Sequence, residues 1–89
     1  MDFDWDPVKA ELNWRKHQVP FDAAIEVFLD PNRVDFDVSR DGEREERRKA
    51  VGVVTGRILS LVYTMRDGRM RVISARAANA QEKRRYGYR

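Results

Sequence analysis

The sequence predicts an α+β fold: an antiparallel sheet of about four to five strands, packed with two N-terminal helices and one C-terminal helix in the order β-α-α-β-β-β-β-α. Three observations predict it. Residues 7–17 and 21–29 carry helical patterns bounded by prolines at 7, 20 and 31. Residues 34–38 read Val-Asp-Phe-Asp-Val, a strict alternation of period two. From residue 46 onward, β-branched runs separated by Thr55-Gly56 and Asp67-Gly68 read as consecutive hairpins.

Asp2-Phe3-Asp4-Trp5 alternates as a short strand. Asp6 then suits an N-cap and Pro7 the first helical position, where its missing N–H costs nothing. That helix runs to about His17, and Val19-Pro20 breaks it, because proline disfavours helix in the residue before it. Phe21, Ala24, Ile25, Phe28 and Leu29 give a second helix its core-facing side, and Asp30-Pro31-Asn32 ends it. Residues 34–38 form an edge strand with one wet face, followed by a polar loop over 39–45. Residues 46–55 form the next strand. The run 58–64 is apolar on both faces and belongs in mid-sheet. On the last strand, 70–76, simple alternation puts Met70, Val72, Ser74 and Arg76 on one face and Arg69, Arg71, Ile73 and Ala75 on the other. Asn79 caps a final helix to about Tyr86, with Glu82 completing a capping box.

With 89 residues the chain fits one domain around one core, and 42% apolar against 37% charged residues makes it foldable with a heavily charged surface. It has no cysteine and one histidine, which excludes disulfides and thiolate metal sites and leaves structural zinc without a ligand set. The aspartates at 2, 4 and 6 and at 35 and 37 are explained by alternation on wet strands, so no metal is expected, and no Gly-rich phosphate loop or other cofactor motif is present. No apolar run reaches the roughly 20 residues of a membrane span, and the start MDFDWDP is acidic where a signal peptide is basic, so a cytoplasmic location is expected.

The net charge of +3 is unevenly spread. Residues 1–45 hold 12 acids and 6 bases, a balance of −6; residues 46–89 hold 3 acids and 12 bases, a balance of +9. A basic half of this kind suits a polyanionic partner, unless the two halves interleave in space and cancel. Three clusters carry the candidate chemistry. Lys9, Asn13, Lys16 and His17 share one face of the first helix, as a phosphate-binding or as a merely solvated face. Arg47 and Lys49 share a strand face opposite Arg48. Arg76 ends a strand on an apolar face and needs an anionic partner there, either Glu82 or a substrate phosphate. Arg66 ends the adjacent strand, and Tyr86 stands beside Arg84 and Arg85, a combination that stacks bases while holding phosphates.

In order and spacing these residues resemble the BrnT toxin family, part of the RelE-like group of ribonuclease toxins of type II toxin–antitoxin systems. The resemblance rests on F-D-W-D-P-V-K from Phe3, Asn13, Lys16-His17, V-P-F-D-A-A at 19–24 and Phe28-Leu29-Asp30. It continues with Glu46-Arg47 before Gly52, V-Y-T-x-R at 62–66, R-V-I-S-A-R at 71–76, Glu82 and Tyr86. Gln18 stands where the family usually has glycine, and Lys83 where it has arginine.

The resemblance implies a RelE-like fold, metal-independent RNA cleavage that halts translation, and neutralisation by a ribbon-helix-helix, BrnA-like antitoxin in a heterotetramer. That complex would bind its own operator DNA mainly through the antitoxin. Metal-free cleavage needs a base for the 2′-OH, cations for the phosphorane and an acid for the departing 5′-oxygen. On this basis Arg76 and Arg47, with Arg66 third, are expected to hold the transition-state phosphate; Lys16 or His17 moves protons, and Tyr86 stacks or acts as a second acid. Lys9, Asn13, Arg71, Arg84 and Arg85 are expected RNA contacts, and Glu82 is either a base or a helix cap. The competing reading is a binding module without catalysis, whose basic face docks nucleic acid or an acidic partner.

Overall fold

The structure, a computed structural model, describes residues 2–87. A five-stranded sheet of order β1-β5-β4-β3-β2 is built from β1 (Phe3–Asp4), β2 (Val34–Asp37), β3 (Arg48–Val54), β4 (Arg57–Arg66) and β5 (Arg69–Ala77). Helix α1 (Pro7–His17), the short α2 (Phe21–Ala24) with its 3-10 continuation Ile25–Leu29, and α3 (Ala80–Tyr86) complete the fold. The α+β class and the order of elements are as the sequence predicts. The sheet, however, is mixed rather than antiparallel, because β1 pairs with β5 in parallel. A strand of two paired residues is too short for its side-chain pattern to reveal its direction.

Local chemistry explains the turns and caps. Asp6 accepts the Val8 N–H at 2.9 Å, and Asn79 and Glu82 close a full capping box on α3. Thr55-Gly56 and Asp67-Gly68 all have positive φ, the signature of two-residue type I′ hairpin turns. The apolar β4 is the central strand and β2 an edge. The second helix tightens into a 3-10 turn where it crosses β3. At that crossing Gly52 lets the two backbones approach closely, since a Cβ would stand 3.1 Å from the Val27 carbonyl oxygen and force the neighbours to give.

The main core fills one sheet face, beneath α1 and α2, with Val19, Phe21, Val27, Leu61, Tyr63, Val72 and Ala75. Phe28 meets the Tyr63 ring edge-on at 5.3 Å. On that face Asp35 accepts from both Arg48 (2.6 Å) and the Tyr63 hydroxyl. Burial, then the Asp35 bond, pushes the Tyr63 phenol up to about 12. A smaller cluster of Val51, Ile58 and Ala78 fills the opposite face under α3, with Phe36 and Tyr86 against it.

One register change decides what that opposite face carries. Between Val62 and Tyr63 the β4–β5 pairing shifts: Val62 pairs with Ser74 but Tyr63 with Val72, leaving Ile73 as the extra residue of a bulge. Simple alternation had grouped Met70 and Val72 with Arg76. The bulge instead turns Met70 and Val72 into the core with Ala75, and brings Arg71 onto the face of Ser74 and Arg76.

β5 has little strand partner on its outer side, because β1 covers only Met70 and Arg71. Asn13 takes over there. Its side-chain amide accepts the Ala75 N–H (3.1 Å) and donates to the Ala75 carbonyl (2.8 Å) and the Val19 carbonyl (3.1 Å). Asn13 is buried, so this residue, expected on sequence to touch RNA, is committed to the sheet edge. Asn13→Ala should therefore cost about 2–3 kcal/mol, because it strands one buried donor and two buried acceptors. Chemical denaturation should show a lower midpoint with an unchanged slope.

Candidate functional site

Cross-strand pairing orders the face opposite the main core into rows. Val51, Ser60 and Arg76 form one; Lys49, Val62 and Ser74 the next; Thr64 and Arg71 a third, which Arg47 joins from the residue before β3. Helix α3 lies over one end of this face, bonded through Glu82 to Lys49 of β3 and Arg76 of β5. Its Tyr86 packs on the Val51–Ile58 cluster and the Arg85 guanidinium lies 3.7 Å from the centre of the Phe36 ring. The β4–β5 side stays open below α3.

On that open side lies a basin of about 260 Å³. Its cations are Lys9 from α1, Arg47 before β3, Arg66 at the end of β4 and Arg71 on β5. Thr64 forms part of its lining, with its hydroxyl donated to the Glu46 carbonyl at 2.7 Å. Asp6 and Glu45 bring two negative charges against four positive ones. Each arginine already faces a carboxylate: Arg47 meets Glu43 at 2.9 Å, Arg71 meets Asp4 at 3.4 Å, and Arg66 grips Glu45 with two parallel bonds of 2.6 and 3.0 Å. Those bonds from Arg66 hold the Glu45 carboxyl below the usual carboxylate range. Among the described residues, Lys9 is the one cation of the four in no ion pair.

The structure thus gathers Arg47 and Arg66, expected on sequence to act on the phosphate, with Lys9 and Arg71, expected to contact RNA. Other candidates lie elsewhere. Lys16 and His17 fall on the last turn of α1, about two helical turns (roughly 10 Å) beyond Lys9 and outside the basin lining. Arg76 makes a bidentate pair with Glu82, both bonds at 2.8 Å, and Lys49 reaches the same carboxylate at 2.7 Å. Of the two partners considered for Arg76, the structure supplies Glu82. The expected face of Arg76 beside Met70 and Val72 is corrected by the bulge. Tyr86 donates to Asp30 at 2.5 Å, a carboxylate that also accepts the Val53 and Asn32 N–H groups. The Tyr86 bond, then that from Val53, lowers the Asp30 pKa, and the same bond raises that of Tyr86. Arg84 is exposed on the outer turn of α3, and Arg85 lies against Phe36.

Sequence reasoning passed over Glu43, Glu45 and Thr64. The signal for the two glutamates was present in Gly-Glu-Arg-Glu-Glu-Arg-Arg, where an acidic loop runs directly into a basic strand. Among the described residues no three of His, Cys, Asp or Glu converge as a metal site, and no helix is long and apolar enough to cross a membrane.

Fold and basin together define a small α+β protein with a cationic hollow on an open sheet face. The chain belongs to the family of BrnT ribonuclease toxins of type II toxin–antitoxin systems, whose profile matches residues 5–82. No curated protein matches it significantly. The matched span holds every residue of the basin and ends at Glu82, so Lys83 to Tyr86 of α3 lie beyond it.

Glu82 offers a test of which groups serve the fold. Burial alone would raise its pKa, but the bonds from Arg76, Lys49 and the Asn79 N–H outweigh burial and pull it to about 2 from an ordinary 4.5. A folded value below the unfolded one stabilises the protein above the unfolded value, and that stabilisation drains away as pH falls from about 4.5 towards about 2. Glu82→Gln should cost about 2–3 kcal/mol at neutral pH, by unpairing two partly buried cations. Its unfolding free energy should then change less than wild type between these pH values, as read by denaturation at stepped pH.

Proposed function

We propose that this toxin is a metal-independent endoribonuclease acting as a single domain in the cytoplasm, where cleavage of RNA arrests translation. The convergence of Lys9, Arg47, Arg66 and Arg71 on one basin carries this reading. In the proposed reaction the 2′-oxygen attacks phosphorus, its proton passing to water, and the bond to the 5′-oxygen breaks to leave a 2′,3′-cyclic phosphate. The three guanidiniums hold the non-bridging oxygens and stabilise the charge that builds up in the phosphorane. Lys9 takes the proton-transfer role expected on sequence of Lys16 or His17, delivering a proton to the departing oxygen. Lys16, Arg84 and Arg85 extend the positive field along which a strand is drawn in, and Arg76 acts through the fold by anchoring Glu82.

Incubating a long RNA with the purified protein in excess EDTA tests this. Wild type should cut and leave cyclic phosphate ends. Arg47→Ala and Arg66→Ala should each lower the rate about 10²–10³-fold with melting temperature nearly unchanged, the usual loss when one donor to a developing oxyanion is removed. Arg47→Lys should also fail, since an ammonium lacks the bidentate fork. Full activity in both alanine variants would reject the basin as the active site. RNA binding without cleavage, on free RNA and on translating ribosomes alike, would reject the nuclease reading.

The same proposal includes a ribbon-helix-helix antitoxin that blocks the toxin in a heterotetramer and binds operator DNA with it. The type II family supports a protein partner, and so does the outward face of α1, where Val8 and Leu12 are 68% and 58% exposed. Adding one equivalent of that antitoxin should abolish cleavage, with both chains eluting together from a sizing column.

A further inference from the structure

The three arginines of the basin are not waiting empty. The loop before β3, residues 39–46, is closed at its base by the Arg47 N–H bonded to the Ser39 hydroxyl at 2.8 Å and by the Val38 N–H bonded to the Arg47 carbonyl at 2.8 Å. From this loop Glu43 meets Arg47 and Glu45 takes Arg66 in a fork-on-carboxylate geometry. A carboxylate held by two parallel N–H bonds presents the same pair of acceptor oxygens that a phosphodiester offers through its non-bridging oxygens.

We infer that the Glu45 carboxylate occupies the seat of a substrate phosphate on Arg66, and that RNA binds by displacing it. The inference rests on the reading of the basin as an RNA site and adds where one phosphate goes and what it must expel. Both partners of the Arg66–Glu45 pair are exposed, with side chains at 47% and 41% of full accessibility. Exposed pairs of this kind are weak and screened by salt, so the carboxylate is cheaply released. The incoming phosphate can bond Arg47, Arg71 and Lys9 together with Arg66, whereas Glu45 hydrogen-bonds Arg66 alone and feels Arg47 and Arg71 only through space. The exchange needs no movement of the sheet, because Arg66 keeps its place at the end of β4 and only the 39–46 loop has to give way.

Charge alone would also favour an anion once any acid is removed, so the test compares neighbours. Glu46 adjoins Glu45 in sequence, but its carboxylate lies 3.9 Å from Arg48 and is absent from the basin lining. Glu45→Gln and Glu46→Gln change the net charge equally. Binding of a 2′-O-methyl oligonucleotide, which cannot be cleaved, is measured by fluorescence anisotropy in EDTA. Glu45→Gln should bind about fivefold more tightly than wild type, about 1 kcal/mol. Glu46→Gln should differ from wild type by less than about twofold. Glu45→Ala, which removes the acceptor oxygens altogether, repeats the comparison should the glutamine variant fold poorly. Equal gains in both glutamine variants would overturn the seat, as would weaker binding by Glu45→Gln. Loss of cleavage in Glu45→Gln at unchanged affinity would make Glu45 a base rather than a placeholder, and would overturn it too. Failure of the nuclease reading looks different: Glu45→Gln would still bind more tightly, while wild type cut no RNA.

Discussion

The arrangement hangs on a side-chain amide doing the work of a missing strand. β5 needs partners on both sides to be a stable interior strand, yet β1 pairs with only two of its residues. Asn13 meets Ala75 as a neighbouring peptide group would, accepting its N–H and donating to its carbonyl. The contact serves two ends. It satisfies buried backbone groups at the sheet edge, and it locks α1 alongside β5. Lys9, one turn before Asn13 on the same helix face, is thereby carried to the rim beside Arg71.

Charge adds a second constraint. The acidic first half and the basic second half lie against each other, as Arg48 with Asp35, Arg47 with Glu43, Arg66 with Glu45 and Arg71 with Asp4 show. The opposition visible in the composition is thus largely spent within the protein, and the excess is local. Pairs with buried members, such as Arg76 and Lys49 on Glu82, hold α3 to the sheet. The exposed Arg66–Glu45 pair at the basin holds little and is open to exchange.

What could be read from the sequence was what depends on near neighbours in the chain. The Asp6 cap, the Asn79–Glu82 box and the Asp67-Gly68 turn each rest on residues a few positions apart, and each forms as expected. The central place of 58–64 followed from its apolar character on both faces. What escaped reading depends on partners far along the chain. Asn13 finds Ala75 across 62 residues, and Tyr86 finds Asp30 across 56, so neither has a local signature. Helical spacing grouped Lys9 with Asn13, Lys16 and His17, but the position of β5 decided which of them is buried, which joins the basin and which stay outside. The resemblance of the chain to its family rests on scattered short motifs, and those motifs say nothing of who pairs with whom.

Ile73, the extra residue of the β4–β5 bulge, sets the parity of its strand. Towards the α3 end, even-numbered residues such as Ser74 and Arg76 look away from the main core; towards the hairpin, the odd-numbered Arg71 does. The charged surface changes from even to odd across a single position, while the core changes from odd to even. Substituting a side chain on either stretch tunes the strength of one contact and leaves the layout alone. Adding one residue between the Asp67-Gly68 turn and Arg71 would exchange surface for core, seating a guanidinium where Val72 now packs. The chemistry of this face is therefore addressed by strand length as much as by residue type.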